Sequence, residues 1–209
     1  GMGLSSSCLS DPWAIWNNIA GLADLENPQV ATSYLLHPGI SSFNTMAALY
    51  AQPLNTGALG IGVSRFGDEL FHQQILTAGY SNSFGIASLG VKLNYIQYAA
   101  EGFGSKGVAS VSFGGLAHLT PALDVGAHII NLTQPKLTEY EKLPTTFVLG
   151  IAFNPTDYLI VSAEIEKDID TDPRWKAGIE YTVYKRFFLR TGFNLQPRAG
   201  FFGFGYKSR

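Results

Sequence analysis

The sequence predicts an all-β fold: an antiparallel up-and-down transmembrane β-barrel of about twelve strands, preceded by a short N-terminal helical segment. Three observations predict it. Apolar residues alternate with a period of two, charged residues are few and clustered, and short turns alternate with connections that are mostly longer. No apolar run approaches the roughly 18 residues of a transmembrane helix, which excludes a helical membrane protein.

Charged residues mark the connections between the expected strands. They make up 14% of the 209 residues, against about 25% in ordinary soluble domains. Residues 70–100 contain one charged residue, Lys92, and residues 107–135 contain one, Asp124. The formal net charge is -2, so the chain lacks the basic excess of a nucleic-acid-binding protein. We therefore expect no nucleic acid among its partners.

The first 28 residues differ in pattern from the rest of the chain. Asp11 followed by Pro12 is typical of a helix start, with Asp11 as the cap and Pro12 in the first helical position. We expect residues 1–28 to form a helical segment and residues 29–209 to form the barrel. The segment either plugs the lumen or packs against the wall as a clamp. The residues that would do so are Trp13, Trp16, Asn18 and Ile19.

Twelve strands are expected in the remainder of the chain. They lie near residues 29–36, 43–52, 58–65, 71–80, 85–98, 106–119, 123–131, 145–154, 158–168, 174–184, 187–195 and 199–207. Turn residues lie at 53–57, 81–84, 120–122, 154–157 and 184–186, whereas the connections at 67–70, 99–105, 132–144 and 168–173 carry charge. This alternation favours antiparallel hairpins, with short periplasmic turns and longer extracellular loops.

The strands have one apolar face and one face of polar or small residues, most clearly at residues 87–97. In a transmembrane barrel the apolar face contacts lipid, which would be the outer-membrane lipid of a bacterium. A soluble meander or lipocalin-like barrel is the alternative, but it would require charged residues along its outer face. The near absence of charge through whole strands favours the membrane barrel.

Charged residues on the polar face are expected to form a salt-bridge network inside the lumen. A charged constriction that selects solutes is the alternative function for the same residues. These residues are Lys92, Glu164, Glu166, Lys176, Glu180 and Arg190.

The loop at residues 132–144 is the expected contact surface for a protein partner. Two prolines, Pro135 and Pro144, stiffen it, and Tyr140 supplies an aromatic anchor of the kind common in protein interfaces. An unengaged loop is the alternative.

The sequence predicts no catalytic site, no metal site and no cofactor. The four histidines lack metal-ligand spacing, and no serine with nucleophile-elbow spacing accompanies His128 and Asp124. The acidic residues at 168–172 lack the glycine and distant glutamate of a calcium loop, so a solvated loop is expected. Cys8 is the single cysteine, and an internal disulfide is impossible.

The residues Ser10 to Leu22, which include Asn18-Ile19-Ala20-Gly21-Leu22, followed by β-hairpins, resemble the N-terminal signature of FadL-like outer-membrane barrels. Within that superfamily the sequence is most similar to the PorV and PorQ group, which is associated with the type IX secretion system of Bacteroidota. The family pattern has a proline where this chain has Ile19. Phe188 to Phe193 and Gly203 to Tyr206 also resemble the family's penultimate strands.

The resemblance implies a location in the bacterial outer membrane and two functions. The first is an accessory barrel that binds secreted cargo, a secretion channel or another outer-membrane protein. The second is passage of hydrophobic small molecules across the membrane. Members of the group typically have fourteen strands, so either one further hairpin follows or this is a smaller relative that closes at twelve.

Overall fold

The computed structural model describes residues 2–136, 142–169, 171–184 and 186–207. Three short 3-10 helices are η1 (Pro12–Ile15), η2 (Ile19–Asp24) and η3 (Ser41–Phe43). The strands are β1 (Gln29–Leu35), β2 (Thr45–Leu54), β3 (Gly57–Gly67), β4 (Phe71–Phe84), β5 (Ala87–Ala100), β6 (Gly104–Thr120), β7 (Leu123–Ile130), β8 (Thr146–Thr156), β9 (Leu159–Asp168), β10 (Arg174–Val183), β11 (Phe187–Leu195) and β12 (Arg198–Tyr206). None of the helices in these described ranges is long and apolar enough to span a bilayer.

The twelve strands form one sheet in the order of the sequence, and each strand is antiparallel to the next. The predicted fold class is therefore confirmed. The turns that join β2–β3, β4–β5, β6–β7, β8–β9 and β10–β11 lie at one end, called here the short-turn end; the opposite end is the long-loop end. Over the described residues, no strand pairing joins β12 to β1.

Large apolar side chains cover the outward face of the sheet. Leu93, Leu149 and Trp175 are each about half exposed, at 55%, 51% and 54%. Exposed aromatic residues lie near both ends of this apolar surface. Those towards the long-loop end include Tyr34, Tyr95, Phe147, Trp175 and Phe193, and those towards the short-turn end include Phe84, Phe153, Tyr158, Tyr181 and Tyr206.

The inward face carries small and polar residues, and the N-terminal segment is packed against it. The main apolar cluster forms between the segment and β2 and β3. Its members are Ala14, Ile15, Ile19, Leu22, Leu25, Leu49, Ala51 and Ala58. The best-packed apolar core therefore lies inside the curve of the sheet, between the N-terminal segment and the wall.

The N-terminal segment contains two 3-10 helices rather than the single helix that a start at Asp11 and Pro12 predicts. The cap was predicted correctly, because Asp11 accepts a hydrogen bond from the Trp13 backbone at 2.9 Å. The helix stops at Ile15 because the carbonyls of Ile15 and Asn17 accept hydrogen bonds from the Lys92 ammonium instead of from later backbone N–H groups. Asn18 then caps η2.

Candidate functional site

Glycines on the inward face leave the space that the N-terminal segment occupies. A Cβ atom at Gly60 would lie 2.6 Å from atoms of both Ile15 and Leu22. A Cβ atom at Gly126 would lie 2.2 Å from the Ser7 carbonyl oxygen, and one at Gly178 would lie 2.5 Å from that of Met2. The segment therefore crosses the lumen from β10 to β3, and each approach requires a residue without a side chain.

Glu164 on β9 binds the start of the segment. Its Oε2 accepts hydrogen bonds from the backbone N–H groups of Ser6 and Ser7, each at 3.0 Å, and from the Ser7 hydroxyl. Its Oε1 accepts from Lys176 Nζ at 2.9 Å. Glu164 is buried, so these donors supply the compensation that a buried carboxylate needs.

Lys92 on β5 binds the middle of the segment. Its ammonium donates to the carbonyl of Ile15 at 2.8 Å and to that of Asn17 at 3.1 Å. The side chain is buried, and two backbone acceptors partly compensate the loss of hydration.

Asn18 joins two parts of the segment to the wall. Its Nδ2 donates to the carbonyls of Ser7 at 2.7 Å and Gly115 at 2.8 Å. Its Oδ1 accepts from the backbone of Ala20. The residue is fully buried, and a Cβ atom at Gly114 would lie 2.1 Å from its Oδ1.

The three other candidate plug residues also lie in the lumen. Ile19 is buried, and its side chain lies against Gly79 and Gly90. The ring of Trp16 lies against Gly62, and Trp13 packs on the apolar cluster. The structure thus brings all four of these residues against the inner wall.

The six charged residues expected in one network are divided among three sites. Lys176 Nζ contacts Glu164 Oε1 at 2.9 Å and Glu166 Oε2 at 2.5 Å. Arg190 and Glu180 form a separate ion pair nearer the short-turn end. Lys92 forms no ion pair among the described residues but binds the segment as above. All six lie at inward-facing positions. The segment's backbone supplies partners to Lys92 and Glu164, whereas the other four residues pair with side chains of neighbouring strands.

A further contact to the segment involves His118, which the sequence reasoning did not select. Its Nδ1 lies 2.7 Å from Asp124 Oδ1, and its Nε2 lies 3.1 Å from Asp24 Oδ2 at the end of η2. Asn154 Nδ2 donates to the other oxygen of Asp124 at 3.0 Å. The sequence signal that could have identified this contact is the β6–β7 hairpin, whose register places His118 opposite Asp124.

Towards the long-loop end, the lumen is lined by polar side chains, and a small cluster of apolar ones lies further out. Thr77 donates to Asn94 at 2.8 Å, and both are buried. Further out, Leu143 of the β7–β8 loop packs on Ile96 and Val108.

The described part of the expected partner loop therefore contacts the wall through Leu143. The carbonyl of Pro135 accepts from the Leu143 backbone at 2.9 Å, and that of Pro144 accepts from Asn131 Nδ2 at 3.2 Å. Pro144 is exposed and Pro135 is half-buried. Tyr140, the predicted anchor, lies outside the described residues.

A cavity of about 450 Å³ separates the segment from the wall near the short-turn end. Asp11 and Trp13 border it on one side, and Ile160, Glu180 and Arg190 border it on the other. Burial raises the pKa of Asp11, an effect that the hydrogen bond from Trp13 opposes. The cavity therefore combines apolar surface with an ion pair.

Cys8 belongs to the segment, and its thiol faces β7 and β8. Its thiol approaches the Gly150 carbonyl at 3.4 Å. Burial, together with the charge of Asp124, raises the pKa of the Cys8 thiol to about 12. Within the described parts of the chain, no cluster of histidine, cysteine and carboxylate side chains has the arrangement of a metal site.

Comparison with known proteins identifies similar structures but no similar sequence. No protein family and no curated protein matches the sequence. A FadL homologue from Pseudomonas aeruginosa matches with a TM-score of 0.64 and 13% identity, over 92% of this chain and 77% of that one. A KdgM porin matches with a TM-score of 0.52 and 13% identity, over 87% of this chain and 98% of that one. At this identity the similarity establishes the fold, which is a β-barrel.

Proposed function

We propose that this protein is a bacterial outer-membrane β-barrel that works with its lumen closed, as an accessory or partner-binding component of a protein secretion or surface-attachment complex of the PorV kind. The observation that carries the proposal is the packing of the N-terminal segment, residues 2–28, against the inner wall, where we infer that it acts as a plug. Buried hydrogen bonds hold this plug to the wall: Lys92 donates to its carbonyls, Glu164 accepts from its N–H groups, and Asn18 of the plug donates to the Gly115 carbonyl. A barrel filled in this way has its free surfaces at the loops, the strand edges and the outer wall.

The outer surface supports the membrane location. It is apolar across all twelve strands and has exposed aromatic residues towards both ends, as outer-membrane barrels do. A protein in water would bury such a surface. The long loops would then face the cell exterior.

Two features support partner binding. The prolines Pro135 and Pro144 frame a loop at the long-loop end, where an aromatic anchor such as Tyr140 would meet a partner. In addition, β1 and β12 are each paired on one side only over the described residues. The free edges of these strands could pair with a strand of another protein.

The alternative function is a FadL-like channel for hydrophobic small molecules. The amphipathic cavity beside Trp13 and Arg190 favours it, since a ligand with an apolar body and a polar end would fit such a site. The fold shared with the FadL homologue is consistent with this function but does not distinguish it from the first.

Two measurements on the same preparation distinguish the two functions. The tagged chain is purified from solubilised native membranes, beside a variant in which residues 136–142 are replaced by a Gly-Ser segment of equal length. The accessory function predicts a stoichiometric protein partner that the loop variant loses while its barrel stays folded. It also predicts that proteoliposomes with the wild-type chain take up apolar fluorescent solutes no faster than empty vesicles. Rapid uptake by a barrel without partners would contradict the proposal and support the channel.

A further inference from the structure

The charged residues of the strands are distributed differently on the two faces. The inward face carries both signs, as at Glu164 and Lys176. Among the described strand residues, the register places only basic charged side chains on the outward face. They are Arg65, Lys167 and Arg198, and all three lie at the long-loop end.

Lys167 lies at the rim of an outward-facing groove of about 410 Å³. The register puts the small residues Gly115 and Ala127 side by side in a surface of otherwise large residues, so they form the floor of the groove. The walls of the groove are Phe113, Ile129, Phe147, Leu149 and Ile165. The Lys167 ammonium donates to the carbonyl of Thr171 and is exposed at the surface.

A second groove of about 440 Å³ lies on a distant part of the wall and has a similar set of small, large apolar and basic residues. Thr32 and Ala48 lie among its small residues, and Tyr34, Met46 and Val63 are its large ones. Its basic residue is Arg65, also at the long-loop end. Two separate grooves with one cation each at the same end indicate a common ligand.

We propose that the groove below Lys167 binds an acyl chain of an anionic phospholipid, and that the Lys167 ammonium pairs with the phosphate of its headgroup, which in such a lipid is not neutralised by a choline. The apolar walls match the chain, and the position of the cation matches the level of the headgroups at the long-loop end. This inference rests on the membrane location given under the proposed function.

Trp175 provides a local probe for the test. It faces outward on β10 beside Ile165, which lines the groove. The other two tryptophans, Trp13 and Trp16, lie against the inner wall. In bilayers of phosphatidylcholine, lipids with brominated chains that reach the groove will therefore quench Trp175.

We expect brominated phosphatidylglycerol to compete for the site about fivefold better than brominated phosphatidylcholine. A preference of this size is what one lysine near anionic headgroups provides. Lys167→Gln should bring this preference close to one. Ala127→Leu should do the same, because its side chain fills the groove from the floor without entering the lumen. Arg65→Gln, which removes an equal charge on β3, should leave the preference at Trp175 unchanged. A heat-dependent gel shift checks that each variant is folded.

Equal quenching by both lipids in the wild type would overturn the proposal, as would equal effects of Lys167→Gln and Arg65→Gln. Absence of quenching by either lipid would show that Trp175 does not contact a bilayer. That result would contradict the membrane location itself, so the two failures are distinguishable.

Discussion

Single buried side chains attach the N-terminal segment to the wall. Lys92, Asn18 and Glu164 are each buried, and each binds backbone groups of the segment. A buried charge is costly unless it is hydrogen-bonded, so these contacts favour one position of the segment over any shifted one. The burial of these groups is therefore better explained by fixing the segment than by catalysis.

Cys8 offers a direct report on whether the segment stays in place. Burial, with the charge of Asp124, raises its thiol pKa from 9.0 to about 12. Only the thiolate reacts with iodoacetamide, so at pH 8 the folded protein should be alkylated about a thousandfold more slowly than the unfolded chain. Quenched time points analysed by mass spectrometry give both rates.

The same chain in denaturant is the control, since it contains the identical thiol without the wall around it. The rate in the folded protein should rise tenfold for each pH unit between about 8 and 11, because the thiolate fraction is proportional to hydroxide below the pKa. Similar rates in the folded and unfolded chains would show that Cys8 is open to solvent.

The sequence could predict which way a side chain points but not what it touches. The period of two predicted one shared face for Glu164, Lys176, Glu180 and Arg190, and in the structure cross-strand pairing and burial place them together on the inward side. It could not show that Lys92 binds the carbonyls of Ile15 and Asn17, because those contacts join residues more than 70 positions apart through an irregular segment.

At the scale of elements, the strands were predicted closely and the N-terminal helices less well. Alternation and turn residues predicted β9 and β11 to within one residue at each end. The segment was expected to be one helix because Asp11 and Pro12 start a helix well. Its division into η1 and η2 depends on a lysine of β5, which local sequence patterns do not include.

The inward glycines of neighbouring strands should be as important for the segment as the side chains that bind it. Gly126→Val would place a side chain 2.2 Å from the Ser7 carbonyl, so we expect this variant to displace the start of the segment. Alkylation of Cys8 should accelerate markedly, because the thiol then loses the burial that raises its pKa.

Gly115→Val on the paired strand is the matched control for that variant. Gly115 faces outward, and the nearest atom to its added Cβ is a Leu89 methyl at 3.4 Å. Its Cys8 alkylation rate should therefore equal that of the wild type. Acceleration of similar size in both variants would indicate a general loosening of β6 and β7 rather than loss of the space for the segment.

At the scale of the whole molecule, the sheet and the segment stabilise each other. The segment fills the inside of the curve with the apolar cluster around Ile15 and Leu22, while the outward face has no apolar partner among the residues that the structure describes. The low charge of the sequence thus reflects two different surfaces. The outward surface is apolar with a few basic residues at one end, and the buried charged groups Lys92, Glu164 and Glu180 of the inward surface are paired or bound to backbone.

Removing one anchor of the segment should lower the stability of the entire barrel. Unheated samples of the wild type should migrate as a compact form on a denaturing gel, and boiled samples should migrate more slowly, because a continuous twelve-stranded hydrogen-bonded sheet resists the detergent until it is heated. Lys92→Met leaves the carbonyls of Ile15 and Asn17 buried without this donor. Each unsatisfied group costs about 1–3 kcal/mol, so the gel shift should occur at a clearly lower temperature.

Lys106→Met, which changes an exposed lysine on β6, should leave that temperature unchanged. If both variants shift at the wild-type temperature, the segment does not contribute to the stability of the barrel, and the view that its anchors hold the fold together is wrong.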